Sequence, residues 1–342
     1  MKRNPISGNC LVLIGLSVMT LLLFGANLFW GSIDIPAQSV WNSLWGGSVE
    51  KASWQYIVLE NRLPQAVTAM LSGSALAVSG LMLQTIFRNP LADPSILGID
   101  SGASFGVALS MLFFGGTVTA GSFSLSGFLL TIFAALAGAV AIMTLLLFFS
   151  NVLRQNMMLL ITGIMISYLT SSAISLLNYN ASAEGVFSYM IWGLGNYSGV
   201  SSSQLPAFSI LILIGLFLAV LLIKPLNALL LGDRYASNLG INIRLTRNLL
   251  LWTTGLLTAS STAFCGPVSF IGLAVPHLVR MFLNTSNHQI LLPSTLLGGA
   301  SLALICNLIS TLPGESGMIP LNVITPLIGA PIVIYIILKQ RT

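Results

Sequence analysis

Charged residues are scarce in this chain of 342 residues. Asp, Glu, Lys and Arg make up 6% of the sequence, hydrophobic residues make up 55%, and the mean hydropathy is +0.93. An ordinary soluble domain has roughly a quarter of its residues charged. A water-facing exterior cannot be built from this composition, which excludes a soluble globular protein.

Cysteine and histidine are also scarce. The three cysteines, Cys10, Cys265 and Cys306, are far apart in apolar stretches, which excludes a disulfide framework. His277 and His288 are the two histidines, and they lack the spacing of a zinc-binding motif. We therefore predict no catalytic residue and no metal site, and we expect this chain to bind no cofactor itself.

Phosphate-binding and proton-relay motifs are missing as well. No lysine follows a glycine-rich cradle and precedes Ser or Thr, so any ATP and Mg²⁺ must be used by another chain. The apolar runs lack the chains of acids and histidines found in proton-coupled carriers, and we expect Asp93 and Asp100 to lie near a membrane surface. An ion-coupled secondary transporter of a small solute stays open as the alternative.

The sequence does contain long apolar blocks, each near the ~20 residues that a helix needs to cross a bilayer. Strand-like alternation is absent, so we predict an all-α integral membrane protein with one transmembrane domain over 1–342. About ten spans are expected, at 10–30, 63–87, 95–115, 125–149, 157–178, 205–223, 247–265, 268–283, 290–312 and 320–338.

Basic residues set the orientation. Of thirteen Lys and Arg residues, Lys51 and Arg62 fall in outer connections if the N-terminus is cytoplasmic, and the others fall inside. The positive-inside rule then places both termini in the cytoplasm. The net charge of +5 is explained by topology, so no nucleic-acid partner is predicted.

A weak internal repeat accompanies these spans. A shift of 182 residues aligns Gly73, Ala77, Ser79 and Pro94 with Gly255, Ala259, Ser261 and Pro276. It maps the second span onto the seventh, and an offset of five spans reverses the direction through the membrane. This pattern predicts an inverted repeat, which is common among transporters.

Three further segments stand out. Val186–Tyr197 is apolar but too short to cross, which predicts an interfacial or re-entrant helix on the outer face. Ser72–Gly80 and Gly298–Ser301 place small residues at helical spacing, which is typical of close helix packing and less often of a pore lining. The inner connection 224–247 is basic and amphipathic and suits two short helices broken at Gly232 and Gly240.

A set of short motifs extends along nearly the whole chain. The motifs are Arg62-Leu-Pro64, Ser79-Gly80, Asn89-Pro-Leu-Ala-Asp-Pro94, Leu97-Gly98, Gly266, Phe270-Ile-Gly-Leu273, Pro276-His-Leu-Val-Arg280, Pro320-Leu321 and Leu327-Ile-Gly-Ala-Pro331. Together they resemble the FecCD-type permeases, the membrane subunits of binding-protein-dependent ABC importers for iron–siderophores, haem and cobalamin. The resemblance implies a type II ABC importer permease fold and ATP-driven alternating access.

The resemblance also implies roles for particular residues. Asp233, Ala236, Leu239 and Gly240 match the segment that inserts into the partner ATPase, and Arg234 can pair with acids there. Arg62 is expected to receive an acid of the substrate-binding protein, although Gln65 stands where relatives often have a second arginine. The pore is expected to be lined from the fifth and tenth spans and the re-entrant segment, with Met157, Met158, Ser167, Ser171 and Ser172 as candidates.

The implied assembly lies in the bacterial cytoplasmic (inner) membrane. It consists of a homodimer of this chain, or a pair with a similar permease, together with two cytoplasmic ABC ATPases and an extracytoplasmic substrate-binding protein. The chain itself is expected to be no enzyme. The motifs leave the cargo open among ferric siderophore, haem and cobalamin.

Overall fold

The computed structural model describes residues 5–113, 117–120, 123–153, 155–283, 285–312 and 318–339. Four basic residues used for the topology, Lys2, Arg3, Arg154 and Arg341, lie outside these ranges. Helices dominate. They are α1 (Pro5–Phe29), α2 (Ala37–Trp45), α3 (Ala52–Tyr56), α4 (Leu63–Phe87), α5 (Ile99–Ala108), α6 (Gly127–Val152), α7 (Asn156–Asn180), α8 (Ala183–Gly193), α9 (Leu205–Leu221), α10 (Ile223–Leu230), α11 (Asp233–Asn238), α12 (Ile243–Cys265), α13 (Ile271–Leu283), α14 (His288–Ser310) and α15 (Leu321–Lys339).

Short elements of other kinds complete the chain. A π-helical segment, Ile57–Arg62, joins α3 to α4, and a second, Leu109–Phe113, extends α5. The strands β1 (Thr117–Ala120) and β2 (Phe123–Ser126) pair antiparallel between α5 and α6. This hairpin was not predicted, and its second strand covers the first two residues of the predicted fourth span.

Each predicted span is matched by a helix. In the described part of the chain, five helices are long and apolar enough to cross a membrane, and α9 with α10 adds a sixth that is bent by 49°. α5 with its π-helical extension, α13 and the part of α15 up to Tyr335 are shorter apolar helices. α12 is 23 residues long but rich in Ser and Thr.

Two polar pairs join α4 and α12 reciprocally. The hydroxyls of Ser72 and Ser261 lie 2.6 Å apart, and the Ser79 hydroxyl donates to the Thr254 carbonyl oxygen at 3.4 Å. The predicted shift of 182 residues maps position 72 onto 254 and position 79 onto 261. It therefore converts the Ser72–Ser261 pair into the Ser79–Thr254 pair. A two-fold axis between the helices produces this exchange. The helices α4 and α12 therefore pack antiparallel with their contacts centred on the predicted shift, as an inverted repeat requires.

The same shift fails beyond these helices. Pro94 precedes α5, whereas Pro276 lies inside α13, so the two prolines are not counterparts. The true counterparts are Gly98 and Phe270, which directly precede α5 and α13 with left-handed φ values of 81° and 70°. The connections before the two helices differ in length, which a single sequence shift cannot accommodate.

Both α5 and α13 begin inside the protein. Their first residues, Ile99 and Ile271, are 1% and 0% exposed. The non-helical backbone before α5 satisfies part of its hydrogen bonding with short-range turns, such as the Gly98 amide donating to the Ser95 carbonyl oxygen at 3.2 Å. Such irregular backbone is tolerated at membrane depth only where protein or water surrounds it.

The small-residue runs are packing surfaces. A β-carbon added at Gly73 would overlap the Gly299 carbonyl oxygen, and one added at Gly299 would overlap that of Gly73, so α4 and α14 cross at backbone contact. Gly80 meets α13 at Gly272 in the same way. These residues are buried within the single chain, which supports helix packing over pore lining.

We expect Gly80→Leu to destabilise the chain by about 3 kcal/mol or more, because the added side chain would force α4 and α13 apart. The measurement is thermal unfolding of the purified chain in detergent. Gly25→Ala is the matched control, because an added methyl group meets nothing within 4 Å there. An unchanged unfolding midpoint for Gly80→Leu would mean that the α4–α13 contact is not close.

Candidate functional site

The connection between α9 and α12 forms two short helices, as predicted. Gly232 and Gly240 flank α11 with φ values of 107° and 85°, which favour glycine. Ala236 is fully buried, whereas Tyr235 and Leu239 are 55% and 58% exposed. The segment 223–240, here called the coupling segment, thus anchors one side on the bundle and presents apolar and basic side chains, including Arg234, on the other.

An ion pair ties this segment to α4. Arg88, just past the C-terminus of α4, has a left-handed φ of 46°, and its guanidinium pairs with the carboxylate of Asp233 at the start of α11. The same guanidinium donates to the Leu229 carbonyl oxygen at 3.5 Å. Asp233, predicted to couple to the ATPase, therefore contacts the chain's own longest buried helix.

A second connection runs through His288. Its Nδ1 donates to the Asn227 side-chain oxygen at 2.9 Å, and its Nε2 shares a hydrogen bond with the Thr85 hydroxyl at 3.0 Å. His288 is 1% exposed, so these bonds replace those that water would supply. Asn227 on α10 is thereby linked through the start of α14 to the last turn of α4.

A third bond joins α4 to α13, because Arg280 Nη1 donates to Gln84 Oε1 at 2.6 Å. The end of α4 therefore has three different partners. Gln84 contacts α13, Thr85 contacts α14 and Arg88 contacts α11. Sequence reasoning missed these roles. Arg280 and Arg88 could have been singled out as basic residues of the predicted inner connections, whereas nothing in the sequence indicated a role for Asn227.

Arg62 is placed differently from the prediction. Its side chain is buried, with 7% of the residue exposed, and Nη1 donates to the carbonyl oxygens of Leu28 and Phe29, each at 3.0 Å. Nη2 donates to the Ile33 carbonyl oxygen. The cation thus satisfies the C-terminal carbonyls of α1. A docking role for Arg62 stays a prediction, but this position argues against it.

Gln65 is likewise buried. Its amide donates to Asn307 Oδ1 at 3.0 Å, and Asn307 in turn donates to Asn27 Oδ1 at 2.8 Å. This chain of amides joins α4, α14 and α1. Lys51, the other basic residue predicted to lie on the outer side, is exposed, and its Nζ lies 4.8 Å from the centre of the Trp54 ring.

The pore-lining candidates fall on different sides of α7. Met157, Met158 and Ser172 belong to one exposed stripe, with Met157 57% and Met158 49% exposed. Ser171 is exposed on the flank of that stripe. Ser167 points away from it, and its hydroxyl donates to the Gly163 carbonyl oxygen at 3.0 Å beside Gly98.

Two acids that the sequence places near a membrane surface, Asp93 and Asp100, have partners within the bundle. Asp93 is 8% exposed, and its Oδ2 accepts the Ser95 hydroxyl at 2.6 Å. Asp100, in the first turn of α5, accepts the Thr262 hydroxyl at 2.5 Å. Thr262 lies in the last turn of α12, roughly 28 Å along the axis from the helix start by the usual rise per residue. Asp100 therefore lies beside the end of α12 that is far from the coupling segment.

Known proteins share both the sequence and the fold. The profile of the FecCD transport family matches residues 19–339. The hemin transport permease HmuU of Yersinia pestis is 36% identical over 327 residues, which cover 94% of this chain and 95% of that protein. The vitamin B12 import permease BtuC of Klebsiella pneumoniae is 32% identical, covering 96% of this chain and 94% of that protein.

A solved structure supports the same conclusion. An inward-facing conformation of a metal-chelate type ABC transporter superimposes with a TM-score of 0.83 at 29% identity, covering 96% of this chain and 99% of that one. The apolar helices and the permease relatives indicate a multi-pass inner-membrane protein. The chain therefore belongs to the FecCD transport family.

Proposed function

We propose that this chain is the translocating subunit of a binding-protein-dependent ABC importer that moves a ferric siderophore, haem or cobalamin into the cytoplasm. The membership in the FecCD family supports this function, and the relatives named above are permeases for hemin and vitamin B12. The observation that carries it is the coupling segment, which exposes Arg234, Tyr235 and Leu239 while Asp233 and Asn227 connect it to α4.

The mechanism follows from those connections. Closure of the partner ATPases on ATP displaces the exposed side of α11. The displacement reaches α4 through the Arg88–Asp233 pair and the Asn227–His288–Thr85 hydrogen bonds. Because α4 contacts α13 and α14 at backbone distance, it transmits the displacement as a rigid element and changes the side to which the pathway opens.

The assembly is a homodimer, with two cytoplasmic ATPases below and a binding protein above. The exposed faces of α7 and α15 supply the dimer and pore surface, with Met157, Met158, Ser171 and Ser172 among its residues. Residues 1–342 form one permease domain with both termini in the cytoplasm. This subunit performs no catalysis and binds no cofactor, and its partners hydrolyse ATP.

The function is tested by uptake into vesicles that hold this chain with its cognate ATPase and binding protein. We expect ATP-dependent accumulation of one labelled cargo among a ferric siderophore, haemin and cobalamin. Vesicles with ATP omitted, or with a catalytically dead ATPase, are the controls. Uptake that follows an ion gradient without ATP would contradict the proposal and favour a secondary carrier.

The coupling route is tested by exchanging charges. We expect Arg88→Asp and Asp233→Arg each to lower ATP-driven uptake about tenfold, and the double exchange to recover most of it. The exposed pair contributes only about 0–1 kcal/mol to stability, so the unfolding midpoint should stay constant. Glu50→Gln, in an exposed outer loop, is the control. Full uptake in both single variants would remove the ion pair from the route.

The role of Arg62 is tested by separating stability from docking. We expect Arg62→Ala to destabilise the isolated permease by about 2–3 kcal/mol, because three carbonyl oxygens lose a charged donor. Lys51→Ala should leave the unfolding midpoint unchanged. The two readouts are thermal unfolding and affinity for the binding protein. A stable Arg62→Ala permease with weakened binding-protein affinity would instead support docking through Arg62.

A further inference from the structure

A polar cavity of about 320 Å³ lies between α5, α7 and α8. Most of its lining carries hydroxyl groups, and one lining residue carries a carboxylate. These polar residues are Ser95, Asp100, Ser101, Ser104, Ser171, Ser175 and Tyr189. Ser171 and Ser175 are exposed, and Asp100, Ser101 and Ser104 are partly exposed, so the cavity opens on the flank of the exposed α7 stripe.

Within the described ranges, the carboxyl group of the cavity has no cationic partner. Asp100 Oδ1 accepts the Thr262 hydroxyl, and no other hydrogen bond or ion pair to Asp100 occurs there. Asp100 lies in the first turn of α5, where the helix N-terminus carries partial positive charge. The other titratable group that acts on Asp100 is Asp93, which is also an acid.

The residues around the cavity distinguish the exposed face of α7 from a lipid-facing helix surface. The most exposed residues in the middle of α9 are Ile210, Leu213, Ile214 and Phe217, all of them apolar. The exposed face of α7 instead includes three serines, and the cavity beside it holds a carboxylate. A carboxylate and open hydroxyls facing hydrocarbon would be costly, so this side faces water or the cargo.

The volume indicates the kind of occupant. Water takes about 30 Å³ per molecule, so the cavity has room for about ten waters. A bare ion is too small to fill it, whereas a charged arm of an organic molecule or a hydrated cation fits. The lining accepts hydrogen bonds from ammonium, amide and hydroxyl groups, and its carboxylate repels other carboxylates.

We propose that the Asp100 cavity is a cation-selective side pocket of the translocation path. It admits positively charged and hydrogen-bond-donating groups of the cargo and disfavours carboxylate-bearing ones. The inference rests on the transport function proposed above and narrows it. Cationic or neutral ferric chelates are favoured over haem, whose two propionates would meet the same negative charge.

The test measures the charge selectivity of the pocket and does not require the cargo. Ser104→Cys is placed in a Cys10→Ser background, because Cys10 is exposed while Cys265 and Cys306 are buried. The complex with its ATPase in vesicles is treated with a methanethiosulfonate bearing either a trimethylammonium or a sulfonate group. The measured quantity is the rate constant of the cationic reagent divided by that of the anionic reagent. We expect this ratio to be at least about tenfold higher for the thiol at position 104 than for a free thiol. Adding Asp100→Asn should remove that preference, whereas adding Glu50→Gln should leave it intact.

Three outcomes overturn the inference. The first is a reagent ratio that does not change with Asp100→Asn. The second is an introduced thiol that neither reagent reaches, both at position 104 and, in Ser171→Cys, at the mouth of the pocket. The third is ATP-driven uptake that continues at the same rate after the Ser104→Cys thiol carries the trimethylammonium group, which would place the pocket off the path. Absence of any ATP-driven uptake before labelling would instead count against the proposed function, while the reagent ratio would still report the charge of the pocket.

Discussion

Backbone contact around α4 is the constraint on which the rest of the structure depends. Gly73 lies against Gly299 of α14, Gly80 lies against Gly272 of α13, and the serines at 72 and 79 meet α12. Without apolar side chains between them, the helices approach until dispersion and short polar contacts hold them. The buried helix becomes a rigid axis that reaches from Arg62 at one end to Arg88 at the other.

That axis explains why the polar groups cluster at its ends. At one end, Arg62 satisfies the last carbonyls of α1, and Gln65 joins the amides of Asn307 and Asn27. At the other end, Gln84, Thr85 and Arg88 contact three different elements. Between the two ends, small residues join α4 to its neighbours at backbone contact.

The helices α5 and α13 bring polar groups into the helix bundle. Because α5 and α13 begin inside the bundle, their N-terminal turns lie among other helices, and non-helical backbone precedes them. For α5 this places Asp100 beside Thr262, at the far end of α12 from the coupling segment.

The sequence by itself determined the class of the protein, the order of its apolar helices, the short apolar helix α8, and the breaks at Gly232 and Gly240. These features depend on local composition, since a bilayer demands apolar runs of a set length and a left-handed turn demands glycine. Only the tertiary structure decided that Arg62 is buried, that Asp233 pairs with Arg88, that Ser167 lies off the α7 stripe, and that Asp100 lies beside Thr262 of α12. Each of those facts is a contact between residues at least 29 positions apart in the chain, and such contacts depend on how helices pack and where they begin, which hydropathy does not specify.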